Sequence, residues 1–200
     1  MCIMRKKLLV FEGLDQSGKN TQVELLTRRL REQGCQVEKT SFPDYDTPIG
    51  KEIKAFLREE RRYNAQVRHI LYAANRWERK GDIERWLNEE KFVVIDRYYQ
   101  SNLAYGLAND LELDWLLNLE RGLPEADLVI VIDTPPEASF ERKPAERDAY
   151  ERDLSFLRRV REAYIRLSQR FSWVIVDGER SVEEVHNDIW ELINRRLKSP

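Results

Sequence analysis

Four apolar residues, Leu8-Leu9-Val10-Phe11, lead through Glu12 into Gly13-Leu14-Asp15-Gln16-Ser17-Gly18-Lys19, after which Val23, Leu26 and Leu30 fall on one helical face. A buried strand, a glycine-rich turn and a helix in that order match the phosphate-loop pattern G-x-x-x-x-G-K. The glycines let the backbone turn so that successive N–H groups converge on phosphate oxygens, and the helix start adds the positive end of a dipole. Lys19 contributes a mobile cation. Gly13, Asp15, Gln16, Ser17, Gly18, Lys19, Asn20 and Thr21 are therefore the expected donor-phosphate site.

The same strand-then-helix rhythm continues along the chain. Phe92 to Ile95, Leu128 to Ile132 and Trp173 to Val176 read as buried parallel strands, with Gln36 to Phe42 as a weaker fifth. Leu157, Val160, Tyr164, Leu167 and Phe171 repeat at helical steps and suit either a core or an interface, and Val182 to Leu197 gives a last helix behind Ser181 as N-cap. Alternation of this kind predicts a three-layer α/β/α fold around a five-stranded parallel sheet. No repeat or linker divides residues 1–200, so a single domain is expected. The charge-dense segment 141–153 interrupts the pattern and reads as either a solvated face or a lid closing over a charged ligand.

Composition removes several classes of function. The 34 basic and 36 acidic residues nearly cancel, which disfavours a general nucleic-acid binder, and 35% charged residues disfavour a membrane protein. Cys2 and Cys35 are two thiols in a chain large enough to fold without staples, so both are expected to be free, in a reducing, cytoplasmic setting. The basic residues before Leu8 look like the start of an export signal, but Glu12 ends the apolar run after four residues.

Where the loop pattern usually has Ser or Thr to meet Mg2+, this chain has Asn20, whose amide can hold the cation or one of its waters; Thr21 follows one residue later. Asp96, at the end of the strand Val93-Val94-Ile95, is the expected carboxylate for Mg2+ across the sheet top.

Four stretches carry a resemblance to a known family: Phe11-Glu12-Gly13-Leu14-Asp15 with its loop, Phe42-Pro43 through Ile49-Gly50, Ala74-Asn75-Arg76-Trp77-Glu78, and Asp96-Arg97-Tyr98 through Ala104-Tyr105. Together they resemble the thymidylate kinases, P-loop enzymes that move the γ-phosphoryl group of ATP onto dTMP. The resemblance implies that Arg97 grips the dTMP phosphate and that Asp15 accepts a hydrogen bond from the acceptor 3′-hydroxyl. It implies that Arg76 bonds a thymine carbonyl, that Tyr72 stacks on the base one helical turn earlier, and that Phe42 forms the opposite wall. It also matches Asn102 to the thymine ring nitrogen and Tyr105 to the floor beneath the deoxyribose.

Charge on the transferring group is expected from the lid, because Gln16 stands where some relatives place a loop arginine. Arg142 aligns with the first lid arginine, near the adenine; Arg147 is the expected partner of the transferring phosphoryl group, and Tyr150 approaches the base side of dTMP. Tyr45 stands where some relatives carry an arginine for the acceptor phosphate. The loop Asp177-Gly178-Glu179-Arg180 matches the backbone segment that holds adenine. Homodimers are common in the family. Two rivals stay open here: the same chemistry on dUMP or dCMP, and a non-catalytic P-loop switch, for which the guanine-reading Asn-Lys-x-Asp motif is missing.

Overall fold

In a computed structural model the described residues are 7–138 and 153–197. Five strands, β1 (Leu8–Glu12), β2 (Val37–Ser41), β3 (Phe92–Asp96), β4 (Leu128–Asp133) and β5 (Val174–Asp177), form one parallel sheet in the order β2-β3-β1-β4-β5. The described helices are α1 (Lys19–Glu32), α2 (Pro48–Leu57), α3 (Ala65–Asn88), α4 (Tyr99–Ala108), α5 (Leu113–Glu120), α6 (Leu154–Phe171) and α7 (Val182–Leu197).

Both faces of the central strands are covered, which is why they read as unbroken apolar runs. Leu9 and Phe11 face a core shared with Val23, Leu26 and Leu30 of α1 and Val185, Ile189 and Ile193 of α7. Leu8 and Val10 face the other core, with Ile83 of α3, Leu103 of α4 and Leu157, Val160 and Leu167 of α6. The α6 stripe is thus core; Phe171 alone among its predicted members is exposed. β2 sits at the sheet edge with only Val37 buried, and this explains its weaker sequence signal.

Local chemistry sets the helix starts. Thr47 caps α2 by accepting from Gly50 N at 3.0 Å, with Pro48 in the first turn. Asn64 caps α3 through Val67 N at 2.9 Å, and Asp153 caps α6 through Phe156 N at 3.0 Å. Ser181 does cap α7, and Glu184 reaches back to Ser181 N at 3.0 Å to complete a capping box.

One expectation is corrected: Cys35, buried after α1, is disulfide-bonded and not free, so the thiols give no argument for a reducing setting. A low cysteine count says how few bridges are possible, not whether the fold brings two sulfurs within reach. Of the lid segment 141–153 only Asp153 is among the described residues, so Arg142, Arg147 and Tyr150 lie outside them.

Candidate active site

The turn after β1 depends on backbone shapes that only some residues tolerate. Gly13 has φ of 135°, and a Cβ there would lie 2.4 Å from the Ile132 carbonyl oxygen of β4; Gly18 has φ of 95° as it enters α1. Gly18 offers no side-chain cap and the first turn of α1 holds no acid, so its amides stay available to an anion. Lys19 is buried and its ammonium donates to Leu14 O at 2.6 Å. Burial first, and then the Arg97 charge, lower its pKa to about 8.

This loop lines one cleft together with Asn20, Thr21, Asp96, Gly178 and Arg180. Asp96, paired with Phe11 in the sheet register, has a buried Oδ1 with no hydrogen-bond partner among the described residues. An orphaned carboxylate oxygen facing a phosphate loop fits a hard cation. Among the described residues no group of three or more His, Cys, Asp or Glu converges, so a cation here would rely on phosphate and water for its other ligands. At the far rim Gly178 donates its N–H to Asp133 O at 2.8 Å, and Arg180 is paired with Asp188 and Glu184.

A second cleft opens on the other side of Asp15. It is lined by Asp15, Phe42, Tyr45, Tyr72, Arg76, Arg97, Asn102 and Tyr105, with Pro43, Leu57, His69, Tyr98 and Ser101 between them. Every described residue predicted for the acceptor therefore meets in one cavity. Arg97, at φ of 63°, forms the junction: its Nη2 donates to Asp15 Oδ1 at 2.8 Å, and its Nη1 to Ser101 Oγ at 3.2 Å. The guanidinium carbon lies 5.6 Å from the centroid of the Tyr105 ring. Phe42 packs against Tyr98 at 5.8 Å, and the half-buried Tyr72 meets His69 edge-on at 6.1 Å.

Two predicted base contacts are more constrained than their residue types imply. Buried Arg76 is bound by both carboxylate oxygens of Glu120, Nε to Oε2 at 3.0 Å and Nη2 to Oε1. Asn102 donates Nδ2 to Glu120 Oε1 at 2.7 Å, and its Oδ1 lies 2.6 Å from His69 Nδ1. Sequence reasoning missed His69 and Glu120, and also Glu12 and Ser101 behind Arg97. Glu12 was the one signal available: a carboxylate ending an otherwise apolar, buried strand needs partners.

The family model described as thymidylate kinase matches residues 11–189. A thymidylate kinase of Schizosaccharomyces pombe is 36% identical over 195 residues, covering 95% of this chain and 92% of its own. One of Plasmodium falciparum is 35% identical, covering 97% and 92%, and a probable thymidylate kinase of Pyrococcus abyssi is 37% identical, covering 97% and 98%. The solved structure of thymidylate kinase from Candida albicans, described as having broad substrate specificity, superimposes with a TM-score of 0.86 at 32% identity, covering 96% of this chain and 92% of that one.

Proposed function

The chain belongs to the thymidylate kinase family, and from that premise we propose that it transfers the γ-phosphoryl group of ATP to dTMP across the junction between the two clefts. It is a nucleoside-monophosphate kinase with ATP as donor. The observation that carries the reading is Arg97, held between Asp15 of the phosphate loop and Ser101 of the acceptor cleft. Its guanidinium is a bidentate donor at the point where two anions must meet.

The loop amides from Gly13 to Lys19, with the Lys19 ammonium, hold the donor phosphates. Bringing an anionic acceptor toward them is unfavourable unless positive charge surrounds the transferring group. Lys19 and Arg97 supply part of it, and the lid residues Arg142 and Arg147 the rest. Asp96, with Asn20 through water, would hold Mg2+, which neutralises charge on the donor phosphates when bound. Asp15 accepts the 3′-hydroxyl and positions the acceptor. It is no general base, because the attacking phosphate oxygen is already ionised at neutral pH.

Phe42 and Tyr72 wall the base, Arg76 and Asn102 meet its polar edge, Tyr105 closes the space beneath the sugar, and Tyr150 approaches from the lid. Pairing of two copies is supported by Val67, Ile70 and Trp77, large apolar side chains left exposed on α3. No described helix is long and apolar enough to cross a membrane, and a cytoplasmic location, where ATP and dTMP are available, belongs to the same proposal.

A coupled assay with ATP, Mg2+ and a panel of dTMP, dUMP, dCMP and UMP tests the assignment. The highest kcat/KM is expected for dTMP. Preferred turnover of another monophosphate refutes the acceptor, and GTP hydrolysis with every monophosphate untouched refutes the kinase.

A further inference from the structure

Glu120, the last residue of α5, is buried at 5% exposure, where neither the low dielectric nor the negative end of its own helix favours its charge. Three N–H groups offset that: Arg76 Nε and Nη2, and Asn102 Nδ2. Glu120 stands behind the acceptor cleft, whereas Arg76, Asn102 and His69 line it.

The consequence follows from what each group can donate. An ionised carboxylate only accepts, so Asn102 must turn Nδ2 toward Glu120. The second hydrogen of Nδ2 points to His69 O at 3.3 Å, leaving Asn102 as a pure acceptor through Oδ1. His69 Nδ1, 2.6 Å from that oxygen, must then carry the ring proton, and Nε2 is left as the acceptor facing Asn109 Nδ2 at 3.5 Å. Burial lowers the His69 pKa to about 4, so the ring is neutral and carries one proton only. Arg76, with Nε and one N–H of Nη2 committed to Glu120, keeps only donors, on Nη1 and the second N–H of Nη2.

We propose that Glu120 is a positioning residue that sets the polar pattern read by the acceptor base: one lone pair from Asn102 Oδ1 beside one N–H donor from Arg76. That pair complements an N3–H next to a C4 carbonyl, the imide edge of thymine or uracil. It opposes cytosine, which presents a lone pair at N3 and an amino group at C4. Glu120 thereby selects keto over amino pyrimidines without touching either. The inference rests on the acceptor reading above and adds the group that enforces it.

The test is Glu120→Gln. A glutamine side chain, in either amide orientation, sets an N–H against a donor of Arg76 or Asn102, so the lock is lost. The ratio of kcat/KM for dTMP over dCMP is expected to fall by at least about tenfold, chiefly through the dTMP KM, with the ATP KM changed by less than about twofold. Glu120→Asp keeps the acceptor-only charge and should recover part of the ratio. 15N NMR of the wild type should show His69 as the Nδ1–H tautomer, with the Nε2–H form appearing in Glu120→Gln. Wild-type selectivity that survives Glu120→Gln, equal damage to ATP and dTMP use, or a wild-type Nε2–H tautomer each overturns this inference alone. A wild-type enzyme that phosphorylates dCMP as readily as dTMP overturns the acceptor reading, and this inference with it.

Discussion

Glu12 at the end of β1 accepts both the backbone N–H of Ser101, at 3.1 Å, and its hydroxyl, at 2.6 Å, across 89 residues of sequence. α4 has no side-chain cap of its own, and Glu12 also accepts Tyr98 N at 2.8 Å, so the carboxylate serves as the cap of a helix distant in sequence. Because the Ser101 proton goes to Glu12, a lone pair on Ser101 Oγ is left for Arg97 Nη1. The Tyr164 hydroxyl of α6 closes the cluster at 2.8 Å. The strand that feeds the phosphate loop and the helix that carries the acceptor residues are thus held by one buried side chain.

Glu12→Gln should loosen this cluster, because an amide presents an N–H where Ser101 and Tyr164 now donate. Loss of a helix cap alone destabilises by about 0.5–2 kcal/mol. Burial is the largest influence on Glu12 and raises its pKa above 4.5, against the opposing Arg97 charge and the hydrogen bonds from Ser101, Tyr98 and Tyr164. Its contribution to stability is therefore greatest below 4.5 and is lost as pH rises through the folded value. Urea unfolding of both proteins across that window should show wild-type stability falling relative to the variant, and a pH-independent difference would contradict the assignment.

Gly13→Ala should damage the donor site selectively. The φ of 135° and the Ile132 carbonyl 2.4 Å from the added methyl group leave it no room, since both are backbone features. The loop must either open from β4 or carry strain of about 1–3 kcal/mol. A raised ATP KM with a smaller change for dTMP is expected in steady-state kinetics.

Much of this was legible in the sequence because it is periodic or contiguous: the apolar runs of β1, β3 and β4, the α1 and α6 stripes, and the loop itself. β5 begins at Val174, one residue later than its apolar run suggested. What escaped detection is pairing between distant elements. Glu12 looked like the end of an apolar run, Tyr164 like one more core position, and Glu120 carried no signal at all, yet Tyr164 donates to Glu12 and Glu120 binds Arg76. No local pattern encodes a partner 44 or 152 residues away. Arg76 and Asn102 were recognised by motif, but the atoms they keep for a ligand are decided by Glu120 and His69, which carry none.

The pH dependence of ATP use should report Lys19. Burial lowers its pKa to about 8 from 10.5, so the free enzyme begins to lose the ammonium just above neutrality. kcat/KM for ATP is expected to decline above about pH 8, whereas kcat at saturating ATP declines later, because bound phosphates favour the charged form. The sign for stability is opposite: the unfolded chain binds more protons between about 8 and 10.5, so this group's contribution to stability rises with pH there. Lys19→Ala should lower turnover by about two orders of magnitude or more, and an unchanged alkaline limb in its residual activity would remove Lys19 as the titrating group.

Arg97→Ala separates the two clefts. The guanidinium binds Asp15 and Ser101 on the acceptor side, so its loss should raise the dTMP KM by at least about tenfold while leaving the ATP KM nearly unchanged. Arg97 also acts on Lys19, whose pKa it lowers, second only to burial. Removing that positive charge should move the alkaline limb of kcat/KM for ATP to higher pH, even though the hydrogen bond of Lys19 itself, to Leu14 O, is not altered. Steady-state kinetics of the variant across pH 7–10 measure both effects, and an alkaline limb that stays in place would show that the two cations do not interact across the junction.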